Sequence, residues 1–229
     1  MTQKAFIGIL FLFLTTLLIS SWQTTGFRED SHATHNCPFK HSVADTNLNH
    51  LFPRISERKF DSLFMMNLSF LSDGFDFPVG KPDAANYYRA LKFKQQKHLG
   101  EDWNSKKGGN TDLGDPVYAA SNGLVTFSED VCCGWGKVIR VAHFLPNHSK
   151  YRYLETVYAH LDQIDVQVGQ FIQRGQQIGT IGTANGRYTA HLHFEMRDFV
   201  NMSLGPGYSD DFYGYTDPTE FITSYRPKK

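Results

Sequence analysis

Short apolar segments separated by turn residues make up the chain from Phe77 onward, and they limit its fold more than any other feature. The segments are rich in β-branched and aromatic residues, and Gly, Asn or Asp interrupts them roughly every eight to twelve positions. The clearest examples are 116–120, 123–127, 137–142, 156–159 and 177–182. After residue 100 no long window has the period of an amphipathic helix. The pattern predicts an all-β fold, an antiparallel sandwich or open barrel of short strands.

Two short helical segments are expected outside this pattern. One is a short helix over 84–91. The other is a final helical turn at Asp217-Pro218-Thr219-Glu220, near the end of the chain.

Composition and charge exclude two broad classes of protein. The hydrophobic share is 41% and the aromatic share is 14%, which is typical of a chain with a packed core and not of a disordered one. Lys+Arg and Asp+Glu both total 23, so the formal net charge is zero. Because binding to phosphate backbones depends on clustered Lys and Arg, nucleic acid is not an expected partner.

The N-terminus has the pattern of an export signal. Lys4 precedes an apolar run from Ala5 to about Ser20, which has the length of a signal-peptide core and is short for a membrane span. We expect a signal peptide or an anchor at 1–26, an N-terminal region at 27–75 and a main globular domain at 76–229. The chain is then secreted, periplasmic or held in the cell envelope, and it meets a membrane only if the leader is uncleaved.

Three cysteines leave the disulfide pairing open. Export permits a bridge from Cys37 to either Cys132 or Cys133, and one thiol is then left over. No CxxC spacing is present, so the cysteines do not predict a zinc site.

Two histidines that alternate along an expected strand are the first sign of chemistry. Residues two apart in a strand point to the same face, so His191 and His193 project together while Leu192 and Phe194 enter the core. On their own, such histidines are as consistent with an exposed edge strand as with a site.

A second segment supplies further metal donors. His98 and Asp102 flank Gly100, where the chain can turn and bring both side chains to one point. Imidazole and carboxylate are ordinary zinc ligands. With one histidine of the HxH strand they make three protein ligands, which leaves an open coordination position, as in catalytic zinc sites.

Together these residues resemble the lysostaphin (LytM-like) zinc endopeptidases, which cut peptidoglycan. The resemblance rests on His98-x-x-x-Asp102, Tyr158-Ala159-His160-Leu161 and His191-x-His193, in that order. It runs from about Phe77 to Phe199 and includes the segments 114–125, 134–143 and 168–179. It implies the lysostaphin type of β-sandwich or open barrel (a duplicated hybrid motif), preceded by a short irregular N-terminal region.

The resemblance also implies the roles of the site residues. His98, Asp102 and His193 would bind one zinc ion per chain, and His160 and His191 would assist catalysis. The chain would be a metalloendopeptidase that hydrolyses peptidoglycan stem or cross-bridge peptides, with zinc-activated water as the nucleophile. No HExxH motif supplies a glutamate base, so a histidine-assisted mechanism is expected, with the choice between the two histidines open.

Several residues near the candidate site are expected to have structural rather than catalytic roles. Glu195 could support a metal ligand, but we favour a solvated strand residue, and Tyr188 could line the cleft, but we favour a packed aromatic. His143 is expected to be a structural residue at a strand end. The segment 103–113 is interpreted as an inserted loop beside the substrate groove. The pair Cys132-Cys133 departs from the small, flexible residues expected before Trp135.

Two functional alternatives remain. The chain could instead be a non-catalytic lysostaphin-like domain that binds the wall or activates hydrolases, although such proteins are expected to have lost zinc ligands. Residues 27–75 could be a propeptide or an inhibitory segment that blocks the open zinc position. Its candidate groups are Asn36, Cys37 and the histidines His32, His35, His41 and His50. Unchanged activity after removal of 27–75 would rule out inhibition.

Overall fold

The structure, a computed structural model, describes residues 57–227 and contains one antiparallel sheet of ten strands in that part of the chain. The strands are β1 (Tyr87–Leu91), β2 (Glu101–Ser105), β3 (Pro116–Tyr118), β4 (Gly123–Asp130), β5 (Lys137–Phe144), β6 (Tyr153–Ile164), β7 (Phe171–Ile172), β8 (Gln177–Ile181), β9 (Leu192–Arg197) and β10 (Tyr215–Thr216). The helices are α1 (Glu57–Met65) and α2 (Pro218–Ser224), with short helical turns at Leu68–Phe70, Gly80–Ala84 and Gln95–Lys97.

The long strand β6 organises the sheet because it pairs with three others. The main path runs β1-β2-β9-β6-β5-β4-β7, while β10 pairs with β9 and β3 pairs with β8. The first part of β6, up to Ala159, pairs with β9, and the last part, from Leu161, pairs with β8. His160 lies at the fork between these two partners.

The core lies between the curved faces of the sheet. Every residue of β5 after Lys137 is buried, as are the first nine residues of β6 and all of β9. The largest cluster of buried apolar side chains includes Ile139, Tyr158 and Phe194. Because both faces of these central strands are covered, their sequences read as apolar runs interrupted by a few buried polar residues.

Helix α1 covers a second, aromatic cluster. Phe60 and Phe64 are buried against Phe144 and Tyr153, with ring centroids 5.6–6.2 Å apart. This helix falls inside the region 27–75 and packs against the strands through these rings.

The predicted all-β antiparallel class is confirmed, and the five apolar segments lie at β3, β4, β5, β6 and β8. The final helical turn is also confirmed, since Asp217 caps α2 by accepting the backbone N–H of Glu220 at 2.9 Å. The helix expected over 84–91 is wrong. Ala84 and Asn86 have φ of 55° and 67°, which a right-handed helix excludes, and the chain continues into β1.

Several predictions fall outside the described residues. They are the leader at 1–26, Cys37 with its disulfide, and the histidines of the N-terminal region. Within residues 57–227, no helix is long and apolar enough to cross a membrane.

Candidate metal centre

The register of two neighbouring strands brings the first donors together. Asp102 on β2 lies directly opposite His193 on β9. Gly100, just before β2, allows this close approach, because a Cβ there would lie 2.5 Å from the carbonyl oxygen of Phe194 and 3.1 Å from Cε1 of His193. The alternation expected for the HxH strand is confirmed, since Leu192 and Phe194 are fully buried in the core.

Three donor atoms converge at this point. Nε2 of His98 lies 3.0 Å from Nδ1 of His193, which in turn lies 3.0 Å from Oδ1 of Asp102. The third side of the triangle, from His98 Nε2 to Asp102 Oδ1, is 3.3 Å.

A zinc ion fits this donor set. In a tetrahedral site with bonds of about 2.0–2.1 Å, two ligand atoms lie roughly 3.3–3.4 Å apart. The three sides of 3.0–3.3 Å are close to that edge. The chemistry also suits zinc, because two imidazoles and one carboxylate are ordinary ligands that leave a fourth corner open.

His160 and His191 lie beside this triangle. Ligand atoms of Asp102, His160 and His191 are within 4.8 Å of one another, and the rings of the two histidines are 4.8 Å apart. The His160 ring is 5.4 Å from that of His193. The structure therefore brings together all five residues that the sequence selected.

Backbone carbonyls fix the orientation of both histidines. Nδ1 of His191 lies 2.7 Å from the carbonyl oxygen of Thr189, and Nδ1 of His160 lies 3.2 Å from that of Trp135. Since a carbonyl only accepts, each Nδ1 donates, and each neutral ring keeps an unprotonated Nε2. His160 adopts a left-handed φ of 63°, a strained conformation for a residue with a side chain, at the fork in β6.

The residues of the cluster differ in how their surroundings shift their pKa values. Burial would raise the pKa of Asp102, but hydrogen bonds from His193 and His98 outweigh it and hold the pKa far below its usual value. Burial and the neighbouring His193 and His191 hold the pKa of His160 well below 6.5. Burial also opposes protonation of His193, but its hydrogen bonds to Asp102 and Glu195 outweigh it and raise the pKa.

For two neighbours of the cluster, the structure contradicts the preferred prediction and agrees with the alternative. Glu195 is not solvated: it is fully buried, and its Oε1 accepts a hydrogen bond from Nε2 of His193 at 3.0 Å. Tyr188 is not a packed core aromatic, because it is 41% exposed and its ring lies 5.0 Å from His160 and 5.9 Å from His191. It therefore lies beside the cluster.

The segment beside the HxH strand is partly strand and partly loop. Residues 103–105 belong to β2, and the loop begins at Lys106. Oδ1 of Asn110 in this loop accepts the backbone N–H of Ala190 at 2.8 Å, and Asn104 on β2 donates to the Ala190 carbonyl at 3.1 Å. Both polar backbone groups just before His191 are therefore fixed by asparagines.

His143 has the structural role that the sequence predicts. It is fully buried, with Nδ1 2.8 Å from the carbonyl oxygen of Asn122 and Nε2 2.8 Å from Oγ1 of Thr156. Burial lowers its pKa to about 4. It does not belong to the metal cluster.

The chain was compared with known protein families and proteins. The family model described as "Peptidase family M23" matches residues 96–204. Lipoprotein NlpD of Yersinia enterocolitica is 32% identical over 93 residues, which are 41% of this chain and 87% of that protein. Peptidoglycan DD-endopeptidase ShyB of Vibrio cholerae is 37% identical over 90 residues, 38% of this chain and 18% of that protein.

A protein named murein hydrolase activator NlpD, from Salmonella dublin, is 30% identical over 112 residues, 46% of this chain and 27% of that protein. In two further curated relatives, the region that this chain matches makes up only 13% and 30% of the relative's own length. Among solved structures, the catalytic domain of lysostaphin from Staphylococcus simulans has a TM-score of 0.41 at 23% identity, covering 66% of this chain and 89% of that one. The family match and the nearly complete coverage of the Yersinia protein show that the chain belongs to peptidase family M23.

Proposed function

We propose that this chain is a zinc-dependent endopeptidase that hydrolyses peptide bonds in the stem or cross-bridge peptides of peptidoglycan. The observation that carries the proposal is the convergence of three zinc-type donor atoms, 3.0–3.3 Å apart, with two further histidines beside them. When bound, zinc supplies a Lewis acid and lowers the pKa of water toward about 7.

His98, Asp102 and His193 are the proposed holders of the ion. Nε2 of His98, Oδ1 of Asp102 and Nδ1 of His193 are the facing atoms. Asp102 stays ionised because its pKa is held low, so its carboxylate offsets part of the charge of the metal. A set of three protein ligands would leave one coordination position free, as in catalytic zinc sites.

His160 and His191 are the proposed proton-transfer groups. Their Nδ1 atoms are held by backbone carbonyls, so Nε2 is the atom available to substrate and water. The lowered pKa of His160 keeps its ring neutral at physiological pH, as an acceptor must be. After accepting a proton, either ring can donate it to the leaving amine or stabilise a developing oxyanion.

Peptidoglycan and the cell envelope are the proposed substrate and location. A relative named a peptidoglycan DD-endopeptidase supports the substrate, and a relative named a lipoprotein supports the location. The apolar leader of the sequence is consistent with export.

A second candidate function is activation of other hydrolases without catalysis. The similarity to a protein named murein hydrolase activator NlpD favours it. Against it stands the complete cluster, because a domain that only binds has no need of three converging donors and two oriented histidines.

Hydrolysis of purified peptidoglycan by the full-length chain tests the proposal. We expect release of soluble peptide fragments that stops in chelator and returns with zinc. His160→Ala and His191→Ala should each lower kcat by about 10²–10⁴-fold while the chain keeps its zinc. His148→Ala, in a loop outside the cluster, is the matched control. Zinc-loaded protein that releases no fragment, but stimulates an added hydrolase, would support the activator and contradict the peptidase.

A further inference from the structure

A line of four buried charged residues runs away from the metal cluster, starting at the ligand His193. It consists of Glu195 and Arg197 on β9, Glu155 on β6 and Arg140 on β5. Glu195, Arg197 and Glu155 are fully buried, and Arg140 is 9% exposed. Charges are this deeply buried only when each has a partner, because removing an ion from water is costly.

The links of this line are continuous. Oε2 of Glu195 accepts from Nε of Arg197 at 2.7 Å and lies 2.6 Å from Nη2 of the same guanidinium. Arg197 also donates to the carbonyls of Ser203 and Leu204. Nη1 of Arg197 lies 3.9 Å from Oε1 of Glu155. That oxygen accepts from Nε and Nη2 of Arg140 at 2.9 and 2.6 Å.

Only one member of the line reaches a metal ligand. Oε1 of Glu195 lies 3.0 Å from Nε2 of His193, while Nδ1 of the same ring faces His98 and Asp102. A carboxylate whose other oxygen is paired with a guanidinium is ionised, so it can only accept at Oε1. Nε2 of His193 must therefore keep its proton, and Nδ1 is the nitrogen that would give up its hydrogen bond to Asp102 and bind a metal.

We propose that Glu195, held in place by Arg197, is a positioning residue that keeps the proton of His193 on Nε2 and so presents Nδ1 as a metal donor. This inference rests on the proposed metal site. Without Glu195, the ring could rotate or exchange its protonated nitrogen, and the donor triangle would be lost. Partners of this kind, behind a ligand histidine, typically change metal affinity by about 10–100-fold.

The chain offers a closely matched control for the test. Glu155, like Glu195, is a fully buried strand carboxylate with one oxygen within 2.9 Å of both Nε and Nη2 of an arginine. Its other oxygen accepts the backbone N–H of Asn201 and touches no metal ligand. Glu155→Gln therefore makes the same chemical change in the same kind of environment, and a merely structural role predicts equal effects for the two variants.

The experiment measures the zinc affinity of the full-length parent, Glu195→Gln and Glu155→Gln by competition with a chromophoric chelator. We expect Glu195→Gln to bind zinc about 10–100-fold more weakly, and Glu155→Gln to stay within about three-fold of the parent. Equal affinities in all three proteins, or equal losses in both variants, would overturn the positioning role.

A second measurement needs no variant and covers the case in which a substitution prevents folding. Imidazole ¹⁵N NMR of the zinc-loaded parent should show His193 protonated on Nε2 and metal-bound through Nδ1. The opposite arrangement overturns the inference. A parent that binds no zinc overturns the metal site and this inference together. Zinc binding that depends on Glu195, without peptide hydrolysis, contradicts the peptidase proposal alone.

Discussion

Gly100 is the position where a single methyl group should most directly separate the metal donors. In Gly100→Ala, the new Cβ would lie 2.5 Å from the Phe194 carbonyl oxygen and 2.7 Å from Cγ of Glu195. Real Cβ atoms almost never approach closer than 3.0 Å, so β2 and β9 must part by at least 0.5 Å. The obstacle is strand backbone and a fully buried side chain, which cannot swing aside.

The size of the effect follows from this displacement. Overpacking a close-packed interior costs about 1–3 kcal/mol, which corresponds to a fall in Tm of roughly 2–12 °C for a domain of this size. Metal-binding side chains must be held within about 0.5 Å of their working geometry, so zinc affinity should fall by an order of magnitude or more. The backbone φ of Gly100 is outside the left-handed region, so steric contact alone is tested.

The assay is thermal unfolding with chelator and with zinc, together with chelator competition. Gly134→Ala is the control, because its Cβ would meet only the hydroxyl of Tyr188, the movable end of a side chain, at 2.9 Å. A Gly100→Ala protein with the Tm and zinc affinity of the parent would refute the reasoning that this contact holds Asp102 against His193.

Three further predictions concern residues that stabilise the fold or hold the strand that carries the site. His143 is buried with a pKa of about 4, against 6.5 for the free side chain, so the stability linked to its neutral form is present above pH 6.5 and is lost as the pH falls toward 4. That loss is about 3 kcal/mol, and unfolding of His143→Gln by urea between pH 7 and 4 should show a correspondingly weaker acid destabilisation. Asn110→Ala leaves the backbone N–H of Ala190 without its acceptor, so the free energy of unfolding in urea should fall by about 1–3 kcal/mol. We also expect a lower kcat for peptidoglycan hydrolysis, while metal analysis should find the zinc content of the parent. Phe64→Ala should lower the free energy of unfolding by about 3–5 kcal/mol, and a loss below 1 kcal/mol would show that α1 is not part of the folded domain.

The strand pattern predicted much of the fold because its turn residues mark where strands end. It failed at 84–91, where left-handed φ values at Ala84 and Asn86 turn the chain before β1. Such backbone geometry depends on tertiary context and leaves no period in the sequence. The pairing of β6 with three strands, and the strained conformation of His160 at its fork, are likewise decided by neighbours distant in sequence.

The five candidate site residues could be selected from the motifs that carry the family resemblance, but the groups that support them could not be placed. Strand alternation places Glu195 on the same face as His193, as the sequence indicates. Whether that face meets solvent depends on Arg197 and on the carbonyls of Ser203 and Leu204, which cover it. For Tyr188 the preferred prediction failed for the opposite reason, because its ring lies beside His160 and His191 rather than in the core.

Zinc binding by the full-length chain and by His193→Ala is the most direct test of the central claim. The purified proteins are stripped with chelator, titrated with zinc in a calorimeter, and analysed for bound metal after gel filtration. We expect about one tightly bound zinc per parent chain, in accordance with the three converging donors, and none retained by His193→Ala. A parent chain that retains no zinc, or a variant that retains as much as the parent, would contradict the assignment of His98, Asp102 and His193 as a metal centre.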